Sequence, residues 1–278
     1  MGNALCREID VSTEERVEPK ARIEMNIMRL LLAVPIAAFA MTTANAATML
    51  YEQDFENPTG FGNTTDDVSQ NSVNSHYGGQ PAGFTFAQEF TAETLLITGT
   101  EAFGTGYSDP SGIGGNYALG MLSDRQDDKL GLAFNVGTND FLNLTVDLSS
   151  IDLSDLGGPF IAPGGEAPEF EFTLYDNPSG VNGTSTGTIL ARQTVTATAS
   201  APDTFDWTRA TVPLDAMGAT NGNVILGIDL LSGGYAALDN FQIEASNTPV
   251  APAVPEPTAI AIWSLGIVGL TFGRRRRV

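Results

Sequence analysis

Phe141-Leu142-Asn143-Leu144-Thr145-Val146-Asp147-Leu148 is the stretch that decides the fold. Leu142, Leu144, Val146 and Leu148 fall on one side of an extended chain, with Asn143, Thr145 and Asp147 on the other. A period of two builds a half-buried strand and cannot build one apolar face on a helix. Working outward, Phe170, Phe172 and Leu174 alternate with Glu171, Thr173 and Tyr175. Ala210, Val212 and Leu214 alternate with Arg209, Thr211 and Pro213. Strict alternation also sets Asp239, Phe241 and Ile243 on one face, opposite Leu238, Asn240 and Gln242. Further strands are expected at residues 49–55, 84–88, 94–98, 117–122, 130–135, 189–196 and 223–231. Turn signals such as Asn57-Pro58, Gly78-Gly79, Asn182-Gly183, Asn221-Gly222 and Gly233-Gly234 separate them. About eleven strands without crossover helices predict an all-β fold, an antiparallel β-sandwich of jelly-roll type, over residues 47–246.

Charge narrows the partners. Between residues 47 and 257 only Arg125, Lys129, Arg192 and Arg209 stand against 27 acids, a net charge of −23. Such a body repels phosphate backbones, which argues against nucleic acid. Solvation in salty water and divalent cation binding both suit it. Cys6 is the one cysteine, so residues 47–257 hold no disulfide, thiolate nucleophile or Cys-based metal site. His76 is the one histidine, which excludes a His-rich zinc site. In its Ser/Asn/Gly-rich surroundings it reads as a loop residue, not as the base of a triad.

The two ends read as addresses. From Met25, one basic residue (Arg29) precedes an uncharged run from Leu30 to Met41, and Ala44-Asn45-Ala46 supplies a small-x-small cleavage site. That is the plan of a secretory signal peptide over residues 25–46, cut after Ala46. Residues 1–24 carry six acids, a poor n-region, and are expected to be an upstream extension from a misassigned start. Residues 247–257 form a Pro/Ala linker that cannot join a sheet. Residues 258–273 are uncharged, and Arg274, Arg275, Arg276 and Arg277 follow. The run predicts a short transmembrane helix, with the arginines as a cytoplasmic stop at 274–278.

Val254-Pro255-Glu256-Pro257, an apolar helix and a terminal arginine cluster together closely resemble the PEP-CTERM sorting signal. The resemblance covers residues 254–278. It implies recognition by an exosortase-type processing enzyme, cleavage near Pro255, Glu256 and Pro257, and delivery to the cell surface or extracellular matrix. Export further implies the secretion translocon and signal peptidase, and an inner-membrane-tethered precursor. Residues 223–228 and 233–241 look like the last hairpin of jelly rolls attached to such tails, and are also similar to carbohydrate-binding modules.

Three constellations in the body are candidates for chemistry. Glu52, Asp54 and Asp239 lie on the expected first and last strands, where hard carboxylate oxygens suit a structural Ca²⁺. With so many acids, chance proximity is the competing reading. Tyr77 and Tyr107, in Gly/Ser-rich loops, are candidates for stacking on sugar rings, whereas Trp207 at a strand start reads as core. No segment isolates two acids in an apolar cleft as a glycosidase requires, and Asp124, Asp127 and Asp128 read as a solvated loop. The expectation is a non-enzymatic surface or matrix protein of structural or adhesive role. The alternatives are a calcium-dependent carbohydrate-binding module that engages extracellular polysaccharide, and a jelly-roll polysaccharide hydrolase.

Overall fold

A computed structural model describes residues 47–62, 68–90, 92–98, 107–123, 127–153 and 166–250. The expected signal peptide with Ala44 and Ala46, the Pro255-Glu256-Pro257 motif, the apolar run 258–273 and Arg274–Arg277 all lie outside these residues. Among the described residues no helix is long and apolar enough to cross a membrane.

The described strands, in chain order, are β1 (Thr48–Gln53), β2 (Val68–Ser69), β3 (Ala87–Glu89), β4 (Glu93–Leu96), β5 (Tyr117–Leu122) and β6 (Lys129–Asn135). They continue with β7 (Phe141–Ser150), β8 (Glu169–Asp176), β9 (Thr188–Thr196), β10 (Thr208–Asp215), β11 (Asn223–Ser232) and β12 (Tyr235–Ser246). One short helix, α1 (Val73–Tyr77), precedes β3. The first sheet runs β10-β7-β12-β5-β4-β2, with β1 also pairing β12; the second runs β3-β6-β11-β8-β9. All these pairings are antiparallel. The two-sheet antiparallel sandwich is therefore as the alternation predicts. Most connections from β6 onward pass from one sheet to the other, as β6 to β7 and β10 to β11 do.

The alternating apolar residues meet between the sheets. Leu142, Leu144, Val146 and Leu148 of β7 face Phe170, Phe172 and Leu174 of β8 and Val224, Leu226 and Ile228 of β11 in one buried cluster. Each such side chain contributes about 1.5–3 kcal/mol when fully buried. Pro213, which cannot donate to a ladder, sits on β10 at the edge of its sheet, where its missing N–H costs no bond.

One face assignment is overturned. Leu238 shares the inner core with Phe241 and Ile243, whereas Asp239 points to the outer side. The register against β7 shifts between Asp239 and Gln242, and Asn240 sits at φ 52°. This one-residue bulge inverts the parity of everything after it, which strict alternation cannot foresee. It also divides β12 into two halves: Tyr235–Leu238 pairs β5, and Phe241–Ala245 pairs β1.

The outer side of the first sheet is not left to solvent. Leu95, Ile97, Ala118, Leu122, Ile151, Leu153, Phe205, Tyr235 and Ala237 form a second buried cluster there, with Tyr107 and Trp207 packed against it. Phe205 and Trp207 stack at 5.4 Å and 6°. The Gly114 backbone lies so close to the indole that a Cβ would come within 2.4 Å of Trp207 Cζ2. The core reading of Trp207 holds, in this second layer and not between the sheets.

Registers also fix the poles. Thr48 pairs Ala245, so β1 begins beside the end of β12. There the buried amide of Asn143 grips the departing chain: Nδ2 donates to Ser246 Oγ at 2.8 Å, and Oδ1 accepts the Val250 N–H at 3.0 Å. Glu89, Lys129 and Asp229 are register partners near the opposite pole.

Candidate functional site

With one face of the first sheet covered, the outer face of the second sheet is, among the described residues, the large strand surface left open. Its side chains form transverse rows. One row runs Glu89–Lys129–Asp229–Glu171–Thr194 across β3, β6, β11, β8 and β9. The next runs Ala87–Gly131–Gly227–Thr173–Arg192. Two glycines side by side leave a gap, and the β8–β9 connection settles into it. A Cβ on Gly131 would lie 2.1 Å from the Gly183 carbonyl oxygen, and one on Gly227 2.5 Å from that of Thr184. The connection is tied down by Asn182 Nδ2 donating to Thr85 Oγ1 at 2.5 Å and by Thr184 Oγ1 donating to Glu89 Oε1.

Between this connection and the charged row lies a shallow cleft, floored by Lys129, Asp229, Glu171 and Thr173 and walled by Thr184, Ser185 and Tyr175. Lys129 Nζ pairs with Asp127 at 3.0 Å and Asp229 at 3.1 Å, and Arg192 Nε with Glu171 at 3.2 Å. Thr173 Oγ1 donates to Glu171 Oε1 at 3.2 Å. Both cations are thus engaged by carboxylates. Asp229 Oδ1 is buried and meets no hydrogen-bond donor. Burial raises the Asp229 carboxyl above the ordinary range, the Lys129 ammonium opposes this, and the Asp127 charge adds to it. A buried acceptor without a donor costs about 1–3 kcal/mol.

Sequence reasoning missed this cleft because its members are spread from residue 89 to 229. The available signal was period two: Glu171, Thr173 and Tyr175 were legible as the outward set of β8. Their meeting with Lys129 and Asp229 required the strand order.

The residues singled out from sequence sit elsewhere. Tyr77 ends α1 fully buried, edge-on to Phe55 at 5.1 Å, with its hydroxyl donating to the Phe55 carbonyl at 2.7 Å. It offers no ring to a sugar, because a helical turn, not a loop, points it into the core. The stacking role is thus corrected for Tyr77, while Tyr107 is half-buried, its ring edge-on to Phe205 at 5.3 Å against the second cluster. His76 is a buried α1 residue and not a loop residue; its Nε2 lies 2.8 Å from Ser69 Oγ and its Nδ1 3.0 Å from the Thr59 carbonyl. Asp128, expected in a solvated loop, is fully buried and accepts the Leu122 N–H at 2.9 Å.

Asp239 is 1% exposed. Its Oδ1 accepts the Asn240 N–H at 2.6 Å, and its register partner is Asp147, which the Arg209 guanidinium holds at 3.0 Å. Burial, reinforced by the charges of Glu56, Asp147 and Asp54, pushes the Asp239 carboxyl up to about 9, so it is neutral at pH 7. Glu52 is opposite Gln242, and Asp54 Oδ1 caps the Glu56 N–H at 3.2 Å. Glu56 is itself consumed by the Asn116 and Tyr117 N–H groups, at 2.7 and 3.2 Å. Among the described residues no group of three or more His, Cys, Asp or Glu is placed to hold a metal ion, so Glu52, Asp54 and Asp239 are not gathered into one.

No family model matches the chain, and no curated protein matches it. Among solved structures it is similar to a xylan-binding domain from carbohydrate-binding family 22, at 16% identity and a TM-score of 0.39, covering 74% of this chain and 99% of that one. It is similar also to the C-terminal family 22 carbohydrate-binding module of Clostridium thermocellum Xyn10B, at 17% identity, TM-score 0.39 and coverage of 74% and 99%. A third likeness is to the K3 cleaved adhesin domain of the Lys-gingipain of Porphyromonas gingivalis W83, at 14%, 0.36, 72% and 99%. Likenesses at these scores bear no weight on what the cleft binds.

Proposed function

We propose that the chain is an exported surface protein, sorted through its C-terminal tail, whose jelly-roll body binds polysaccharide along the charged row of the second sheet without cleaving it. One observation carries the binding reading: a cleft on the outer face of the second sheet that brings the hydroxyl-bearing Thr173, Thr184, Ser185 and Tyr175 together with the carboxylates of Glu171 and Asp229. A polyol supplies many O–H donors in a line, and orientation by a few convergent polar groups is how such clefts recognise ligands. Export is supported by the signal-like segment at 25–46 and the tail at 254–278.

Asp229 and Glu171 are register partners, so their Cβ atoms stand about 4.5–5.5 Å apart, which favours the hydrolase as the second reading. Against it, each carboxylate is held by a cation, leaving neither free as an acid or a nucleophile. Native gel electrophoresis through a panel of soluble polysaccharides tests the proposal. Retardation by at least one of them, lost in Asp229→Asn and Glu171→Gln at unchanged melting temperature, is the expected result. Migration unaffected by any polysaccharide removes the binding function, and release of reducing ends would transfer the site to the hydrolase reading. Intact mass of material recovered from cells tests the address: mature ends at Ala47 and near Pro257 are expected, and an untrimmed chain in the cytosol overturns it.

A further inference from the structure

Beyond the β3 end of the charged row stands a residue that no packing argument explains. Phe90 is 62% exposed, and its backbone is left-handed at φ 60°. For a bulky side chain that conformation costs about 1–2 kcal/mol, and exposing the ring forfeits its burial as well. The corner is nevertheless held firmly. Gln88 Oε1 accepts the Val73 N–H at 2.8 Å, while its Nε2 donates to the Phe90 carbonyl at 2.9 Å. Phe90 follows Glu89 directly, and Glu89 pairs Lys129 on the cleft floor and accepts from Thr184 on the cleft wall. At the same pole Leu231, carried in the bulge between Leu230 and Ser232, is 46% exposed. A solvent-facing aromatic on a held, strained backbone, next in sequence to the Glu89 that meets the cleft wall, is arranged for a partner and not for the fold.

The charges of the row say what kind of partner. Glu89, Asp127, Asp229 and Glu171 face only Lys129 and Arg192, and both cations are already paired. A carboxylate- or sulfate-bearing chain would find both cations already shared with carboxylates and a surplus of like charge, on a body of net charge −23. A neutral sugar has the opposite fit. Its hydroxyls donate to the row's carboxylates, and the C–H face of its ring lies on an aromatic. From β3 to β9 the row spans about 19 Å at ordinary strand spacing, room for a short run of rings.

We infer that the ligand of the cleft is a neutral polysaccharide and that Phe90 is the platform on which one of its sugar rings stacks, an inference that rests on the cleft being a polysaccharide site. The test uses the full-length chain in mild detergent, run through native gels cast with hydroxyethyl cellulose, galactomannan or alginate. Retardation by a neutral polymer but not by alginate is expected. Phe90→Ala should weaken retention about ten-fold, Phe90→Trp should retain it, and both should melt with the parent protein. Equal or stronger retardation by alginate overturns the neutral ligand while leaving polysaccharide binding in place. Neutral retention indifferent to Phe90→Ala overturns the platform. Retardation by no polymer overturns this inference together with the reading beneath it.

Discussion

Glu93 and Tyr235 meet across 142 residues of chain, the phenol donating to Glu93 Oε2 at 2.6 Å. Gly120 makes the meeting possible, since a Cβ there would lie 2.7 Å from the Tyr235 hydroxyl. Burial pushes the Glu93 carboxyl up to about 7, the phenol's hydrogen bond moderates the rise, and the buried Asp128 charge adds to it. A carboxyl whose folded pKa lies above its unfolded value holds its proton more tightly when folded. Its contribution to stability is therefore fully present below pH 4.5 and is lost as pH rises to about 7. The loss is on the order of 3 kcal/mol. Asp239 extends the same trend upward, because its carboxyl is raised to about 9. Thermal melts should therefore show a more stable protein at pH 5 than at pH 8. Glu93→Gln should flatten the slope between pH 5 and 7, and an unaltered slope would mean that Glu93 does not titrate in this window. Asp239 was legible in sequence as a carboxyl needing company, but its face was not. The reason is a single residue, Asn240, whose left-handed backbone reverses the count.

At the scale of elements, the strands repeat what their alternation promises, and the coverings do not. The long strands β5 to β11 stand within about two residues of their expected bounds, while β12 runs three residues further at each end than its alternation marks. β2 was not expected at all, since two residues carry no period. The second apolar layer was also invisible. Tyr107, Phe205 and Trp207 come from connecting segments, where no periodicity marks which face they will cover. Trp207→Ala should loosen this layer by about 3–5 kcal/mol and leave the inner core intact. Hydrogen exchange would then rise at residues 107–116 and 201–207 while β7 and β8 stay protected. Gly227→Ala belongs to the same scale: the added methyl must lift the Thr184 carbonyl, releasing the β8–β9 connection and opening the cleft. Faster proteolysis within residues 177–187, with a fall in melting temperature, is the expected result. Asn240→Val should cost about 1–2 kcal/mol and Asn240→Gly little, because at φ 52° a β-branched side chain is strained far more than asparagine, and glycine is not strained at all.

The molecule as a whole is closed by its most distant segments. β1 pairs β12, bringing residue 48 against residue 245, so the first sheet is complete only when both ends of the body are in place. Such non-local pairing predicts folding in milliseconds to seconds or slower. Deleting residues 48–53 strips the partner from the second half of β12 and uncovers Phe241 and Ile243. Loss of a single cooperative unfolding transition is expected on a denaturant titration. The charge imbalance was readable from composition, but its placement was not, because the cations that matter, Lys129 and Arg192, act through strand neighbours.

Since both ends of the body depart from one pole, the C-terminal one under the Asn143 grip, and Phe90 with Lys129 lies toward the other, the sandwich has a heel and a toe. Were the sorting proposed above to leave a copy attached through its C-terminal end, its toe would point outward, away from the surface that holds it. Many such copies side by side would form a carpet with the same edge uppermost, in which a long chain touching several neighbours is held far more tightly than one copy could hold it.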